Sequence, residues 1–219
     1  MIFLAVTLGF FAENVREHFS DSEHANQLAG QLLQNLKTDT TNLNYNIGLE
    51  QKLMKDADTL FDMLQKPLGK IDTRRLQTRI LSCYRATYFT ASSGALSAVK
   101  NSLQLKPFAR SAIALYIADY EEALSGTRAI ENYQIQNIKE YLESFIAMHF
   151  TSSNAHAALV NDSTTNAELR NVKQEDLSQL GVNISLIEAY QETLKHHYQK
   201  IKDKAVSFIS YLNSTFKLE

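Results

Sequence analysis

The chain of 219 residues carries 22 Lys+Arg against 24 Asp+Glu, a formal net charge of -2, with 7 glycines, 2 prolines and 1 cysteine. Glycine and proline together make up about 4% of it, against about 12% in average usage. That is too few for the tight turns of sandwiches, barrels or doubly wound α/β folds. No basic stripe of the kind a nucleic-acid binder shows is present, so nucleic acid is not an expected partner. Lone Cys83 excludes an intramolecular disulfide and a Cys-rich zinc site.

The N-terminal residues Met1 to Ala12 hold no charge, and Thr7 is their one clearly polar side chain. Glu13, Asn14, Arg16, Glu17 and His18 end this apolar run abruptly. Twelve helical residues rise about 18 Å, short of a hydrocarbon core of roughly 30 Å. A signal peptide fits poorly, since there is no basic leader and Phe10-Phe11-Ala12 puts bulk near the cleavage position. The reading is the C-terminal half of a membrane helix whose earlier half is missing, with Phe3, Leu4, Leu8, Gly9, Phe10 and Phe11 as anchor residues. Gly9 between Thr7 and Ala12 would let a second helix approach closely. Residues 13–24 hold one Arg against Glu13, Glu17, Asp21 and Glu23. Positive-inside reasoning then puts the following domain outside the cytoplasm. Glu13, Glu17 and Asp21 also form an acidic strip suited to docking a basic partner.

Past the apolar run the pattern is helical almost throughout. Leu36, Thr40, Leu43, Ile47, Glu50, Met54, Ala57, Phe61 and Leu64 follow steps of three and four, with Thr40 and Glu50 as polar interruptions. The first helix is expected to reach about Gln65, before Pro67 and Gly69. Asp72 is placed to cap a second helix through Arg74–Tyr88, with Leu76, Ile80, Cys83 and Tyr84 inward. Thr90–Gly94 reads as a loop, Ala95–Leu103 as a short helix closed by Lys106-Pro107, and Phe108–Leu124 as the next helix. A break is expected at Ser125-Gly126. Thr127 then caps a long helix bearing Ile130, Tyr133, Ile138, Tyr141, Leu142, Phe145 and Met148. Helix is expected to weaken at 151–154 and resume through Val160. Asn161–Asn171 reads as loop and Gln174–Leu180 as a short helix stopped at Gly181. A final helix opens near Asn183, with Ile187, Tyr190, Leu194, Ile201, Ala205, Phe208, Leu212 and Phe216 inward. The fold class is all-α: a long antiparallel helical bundle with an extended N-terminal helix that begins in the membrane. The organisation is a partial membrane anchor over 1–12 and a bundle domain over 13–219.

Two stretches carry a resemblance. Phe3–Glu17, through Gly9 and Ala12-Glu13-Asn14-Val15-Arg16-Glu17, resembles the membrane-helix exit of an uncharacterised bacterial family. Its members have one N-terminal membrane helix followed by an α-helical domain of unknown function. Phe89-Thr90 and Ala95–Leu105, followed by a helix bearing Tyr116 and Tyr120, resemble that family's short helix and turn. Here Asn101-Ser102 and Leu103 stand where the family turn has Ser-Ser and Gly. The resemblance implies a protein of the bacterial inner membrane with its bulk in the periplasm, and no catalytic residue.

Chemistry-bearing patterns are sparse. His149 and His156 are seven apart without the His-Glu-x-x-His spacing of zinc enzymes. Glu188, Glu192 and His196 line one helix face beside His197, a metal site only if another helix adds carboxylates. No Gly-x-Ser-x-Gly elbow or phosphate-cradling glycine loop occurs. The sequence therefore points to no catalytic residue, cofactor or metal, and to a non-enzymatic accessory or interaction subunit. Its partners would be the lipid bilayer and membrane subunits or a second copy of itself. The alternatives are a small-molecule-sensing bundle, with a pocket among its 10 tyrosines, and a soluble helical protein that buries its N-terminus.

Overall fold

The computed structural model describes residues 2–160 and 169–218, and for residues 2–5, 158 and 159 the backbone alone. Helix accounts for 85% of the described residues, with no strand among them. The fold is all-α. Eight α-helices follow in order among the described residues: α1 Ile2–Leu64, α2 Thr73–Cys83, α3 Ser93–Asn101, α4 Lys106–Ala109, α5 Ile113–Ile138, α6 Ser144–His149, α7 Ser152–Leu159 and α8 Gln174–Phe216. The extended N-terminal helix is present as expected.

The membrane start is corrected. No helix among the described residues is long and apolar enough to cross a membrane. The reason lies in α1 itself. Any eighteen-residue stretch opening at Ile2 takes in Glu13, Arg16 and Glu17, and the helix continues through them without a break. The transmembrane assignment and the location in the bacterial inner membrane fall with this finding.

Two compact units are built from separated stretches of chain. The first comprises Met1–Asn44, Thr90–Leu124 and Lys200–Glu219. Its core includes Leu32, Leu36, Leu43, Val99, Phe108, Ile113, Ile117 and Phe208. Phe108 meets Phe216 edge-on at 5.5 Å between ring centroids, and Tyr116 stacks on Tyr211 at 4.3 Å. Such ring pairs add about 0.5–1.5 kcal/mol each beyond their burial. The second unit comprises Tyr45–Phe89 and Ser125–Gln199. Ala57, Leu60, Leu76, Ile80, Cys83, Leu142, Leu177, Ile184 and Ile187 form one contiguous core there. Full burial of each large aliphatic side chain stabilises by about 1.5–3 kcal/mol.

Capping and packing decide the helix ends. Asp72 caps α2 as expected, its carboxylate accepting from the Arg75 amide at 3.1 Å. The helix stops at Cys83 rather than Tyr88, because the following segment sends its polar groups into the interior of the second unit. Tyr84, expected inward, is 38% exposed and donates its hydroxyl to Glu143. Pro107 opens α4 instead of closing α3, its missing N–H costing nothing in a first turn.

The expected break at Ser125-Gly126 does not occur. α5 runs through it to Ile138, followed by a π-helical turn at Lys139–Glu143. Gly181 likewise lies inside α8. A Cβ there would meet the Phe61 and Gln65 side chains at 3.9 Å, an ordinary van der Waals contact, so the position is packed without requiring glycine. A glycine in a helix interior costs about 1 kcal/mol, and the packing on either side outweighs it. Of the polar stretch expected at Asn161–Asn171, residues 161–168 lie outside the described residues, and Asn171 takes a left-handed conformation at φ 48°.

Candidate functional site

The interior of each unit is organised around a polar network on α1. In the first unit, α1 buries Ala25, Ala29, Leu32, Leu36, Asp39 and Leu43 in alternating steps of four and three, with Leu28 and Leu33 buried beside them. Asp39, only 1% exposed, accepts from the Ser92 amide at 3.0 and 3.2 Å, the Ser92 hydroxyl at 2.9 Å and the Tyr120 hydroxyl at 2.7 Å. Four contacts from three donors satisfy a buried carboxylate of this kind. Burial and the adjacent Asp39 push the Tyr120 hydroxyl well above its ordinary range.

In the second unit the same alternation continues as Asn46, Glu50, Leu53, Ala57, Leu60 and Leu64. Glu50 is fully buried, with Oε1 hydrogen-bonded to the Thr87 hydroxyl. The Thr87 and Tyr198 hydroxyls lie 3.0 Å apart. Tyr198 donates to Glu131 Oε1 at 2.8 Å, and the Phe89 amide donates to the same oxygen at 2.8 Å. Gln134 Nε2 reaches Glu50 Oε2 at 3.5 Å, a long contact. Among the described residues the buried Gln134 Oε1 and both amide atoms of fully buried Gln191 have no hydrogen-bond partner. Burial raises the Glu50 carboxyl above its ordinary range, with the Thr87 and Gln134 hydrogen bonds opposing and Glu131 adding to the rise. Asn46 completes the set by donating to the Tyr88 carbonyl at 2.8 Å. Thr87 and Phe89 stand on the irregular segment after α2, which is why that helix ends early.

Sequence patterning reached part of this. It marks Leu36, Leu43, Glu50, Ala57 and Leu64 as seam positions, all of them buried, with Glu50 as a polar interruption. At the intervening steps it selects Thr40, Ile47, Met54 and Phe61, whereas the buried neighbours are Asp39, Asn46, Leu53 and Leu60. On α5 it selects Ile130 and Tyr133, whereas Thr127, Glu131 and Gln134 are buried and Tyr133 is 57% exposed. Met148 is exposed too. The missed polar positions have one cause. Hydrophobicity cannot flag a buried acid or amide whose partner comes from a distant segment.

The remaining sequence candidates separate in space. Side chains of Phe3 and Leu4 lie outside the described residues. Leu8, Phe10 and Phe11 are 63%, 75% and 69% exposed, and nothing comes within 4 Å of a Cβ built on Gly9. Glu13 and Glu17 are exposed and Asp21 is half-buried. Glu13 pairs with Arg16 one turn on, and that hydrogen bond holds its carboxyl below the ordinary range.

His149 is buried, with Nδ1 3.0 Å from the Arg170 carbonyl oxygen and Nε2 3.9 Å from Asp176 Oδ2, while His156 is exposed. His196 and Glu192 pair at 2.9 Å, Lys195 joins Glu192, and Glu188 is raised by burial and by facing Asp58. Among the described residues no group of three His, Cys, Asp or Glu is placed to hold a metal ion.

No protein-family model, no curated protein and no solved structure matches the chain. The function must therefore be argued from these residues.

One cleft accompanies the networks. In the second unit, α1 and α2 enclose about 440 Å3 over an apolar floor of Leu49, Leu53 and Leu81. Lys52, Arg79 and Arg85 stand around it. Arg79 is engaged by Asp56, whereas Lys52 and Arg85 have no carboxylate partner among the described residues.

Proposed function

We propose that the chain is a non-enzymatic interaction protein, a long antiparallel helical bundle that pairs with a second copy of itself through the N-terminal part of α1. The observation that carries this reading is register. Counting back from Ala25 in the same alternating steps gives Ser22, His18, Val15, Phe11 and Leu8. These positions continue the seam that α1 buries inside the first unit. Yet Leu8, Phe11 and Val15 are 63%, 69% and 38% exposed, and Phe19 beside them is 72% exposed. A seven-residue apolar repeat is the pattern by which one helix packs along another.

A second copy is the occupant that the flanks favour. From residue 7 to 19 the positions bordering the stripe are Thr7, Ala12, Asn14 and Phe19, none of them charged. Charges at such positions normally select or reject partners, so the borders from residue 7 to 19 set no like charges against each other in a pair of identical helices. Glu13 and Glu17 point away from the stripe and stay in solvent, with Asp21 at its far edge.

The test is light scattering coupled to size exclusion across a concentration series, on the full chain and on a Leu8→Glu/Val15→Glu variant. A dimer that the double substitution converts to a monomer, with helical circular dichroism kept, supports the reading. A wild-type chain that stays monomeric up to high micromolar concentration overturns it.

The cleft between α1 and α2 supports a second reading, a small-molecule-binding bundle. Unpaired Lys52 and Arg85 over a leucine floor suit an anion with an apolar tail. Calorimetric titration with octanoate checks it. Saturable binding lost in Lys52→Ala/Arg85→Ala supports this reading, and no heat at millimolar octanoate ends it.

A further inference from the structure

The interior of the second unit holds two carboxylates, Glu50 on α1 and Glu131 on α5, joined through two hydroxyls. Three contacts run in line: Glu50 to Thr87, Thr87 to Tyr198 at 3.0 Å, and Tyr198 to Glu131 at 2.8 Å. Each contact between oxygens needs one hydrogen, or two lone pairs face each other. Thr87 and Tyr198 supply one hydrogen apiece. Two ionised glutamates supply none, so the line is one hydrogen short. A second added proton would find no open contact within this line, since all three would already be filled. We infer that Glu50 and Glu131 hold a single exchangeable proton between them, resident on Glu50, making the centre of this unit a one-proton site.

The environments of the two acids are unequal, and this places the proton. Glu131 Oε1 already accepts two donors of full strength, the Phe89 amide and the Tyr198 hydroxyl, each at 2.8 Å. Glu50 has, besides Thr87, only the 3.5 Å contact from Gln134. It is also the more deeply buried of the pair, at 0% exposure against 5%, and burial favours its neutral form. The ionisable groups that face Glu50 are Glu131 from α5 and Tyr198 from α8. Glu131 as an anion disfavours charge on it, and Tyr198 brings no charge to offset this, its hydroxyl held far above its ordinary range by burial. The resulting order is Glu50 O–H to Thr87, Thr87 O–H to Tyr198, and Tyr198 O–H to ionised Glu131.

Losing the proton has a local consequence. Thr87 and Phe89 stand on the one irregular segment of the network, while Glu50, Glu131 and Tyr198 stand on helices. With both acids ionised, one of the three contacts becomes a repulsion, and the segment after α2 is the element able to move away. The site couples proton release to loosening of that segment.

The test is a carboxyl carbon-13 NMR titration of the full chain, beside the Glu50→Gln and Tyr198→Phe variants. One glutamate carboxyl that stays protonated well above the ordinary range, and whose signal is absent in Glu50→Gln, supports the inference. In Tyr198→Phe the Thr87 hydrogen is free to serve Glu50 alone, so the midpoint falls towards the ordinary range. This variant keeps both acids and the ring, and so reads the proton count if Glu50→Gln fails to fold. Absence of any elevated glutamate, or an elevated signal that persists in Glu50→Gln or is unmoved in Tyr198→Phe, overturns it.

Discussion

The Tyr120 hydroxyl donates to Asp39 Oδ2 at 2.7 Å within the first unit, and Asp39 takes its other donors from Ser92. A short hydrogen bond to a buried carboxylate contributes about 1.5–3 kcal/mol. Tyr120→Phe is expected to lower stability by about that amount, read as a shift of the urea midpoint. Asp39→Ala should cost more than Tyr120→Phe, since it strands the Tyr120 hydroxyl and the Ser92 amide together. Equal midpoints for Tyr120→Phe and the parent chain would show that this bond contributes nothing.

Proton release from Glu50 also sets a pH dependence of stability with a definite sign. Its folded-state affinity for protons is raised above the ordinary value of 4.5. The neutral form therefore contributes stability that is complete below about 4.5 and is lost as pH rises through the folded midpoint. Urea unfolding of the parent chain should lose stability relative to Glu50→Gln across that window. Parallel pH profiles for the two chains would contradict the sign.

Cys83 tests burial in the second unit directly. Its side chain has no exposure, and burial, with Asp56 adding to it, pushes the thiol up to about 12. Since the thiolate is the reactive form, a disulfide reagent at pH 8 should leave the native chain unmodified. One equivalent should react once denaturant unfolds the unit. Rapid labelling without denaturant would count against the burial.

Ile184 is fully buried among Leu177, Leu180 and Ile187. Ile184→Ala should destabilise by about 2–5 kcal/mol, the range for emptying a packed aliphatic site. Asp72→Ala removes a cap whose carboxylate meets the Arg75 amide at 3.1 Å, with an expected loss of about 1 kcal/mol. Chemical denaturation checks both, and the order of the two losses is part of the prediction.

The helical class, the long first helix, the cap at Asp72 and the spacing of the α1 seam were all legible in the sequence. Apolar residues at steps of three and four report helices whatever surrounds them, and a side-chain cap acts within one turn. The scarcity of glycine and proline excluded turn-rich folds for the same local reason. The apolar run at the N-terminus was legible too, but its length and the charges at Glu13, Arg16 and Glu17 limit what it can do.

Tertiary structure alone decided which polar residues face inward and where the helices stop. Asp39, Asn46, Glu131 and Gln134 look like surface positions in a hydrophobicity pattern. Asp39, Asn46 and Glu131 are buried because Ser92, Tyr120, Tyr88, Phe89 and Tyr198 deliver partners from far along the chain, and Gln134 reaches Glu50. Ser125-Gly126 and Gly181 read as breaks, yet α5 and α8 pass through them under packing that outweighs a local penalty of about 1 kcal/mol. A preference confined to one turn can be read along the sequence. A carboxylate and a hydroxyl over a hundred residues apart become one site only when the fold brings both out of water together.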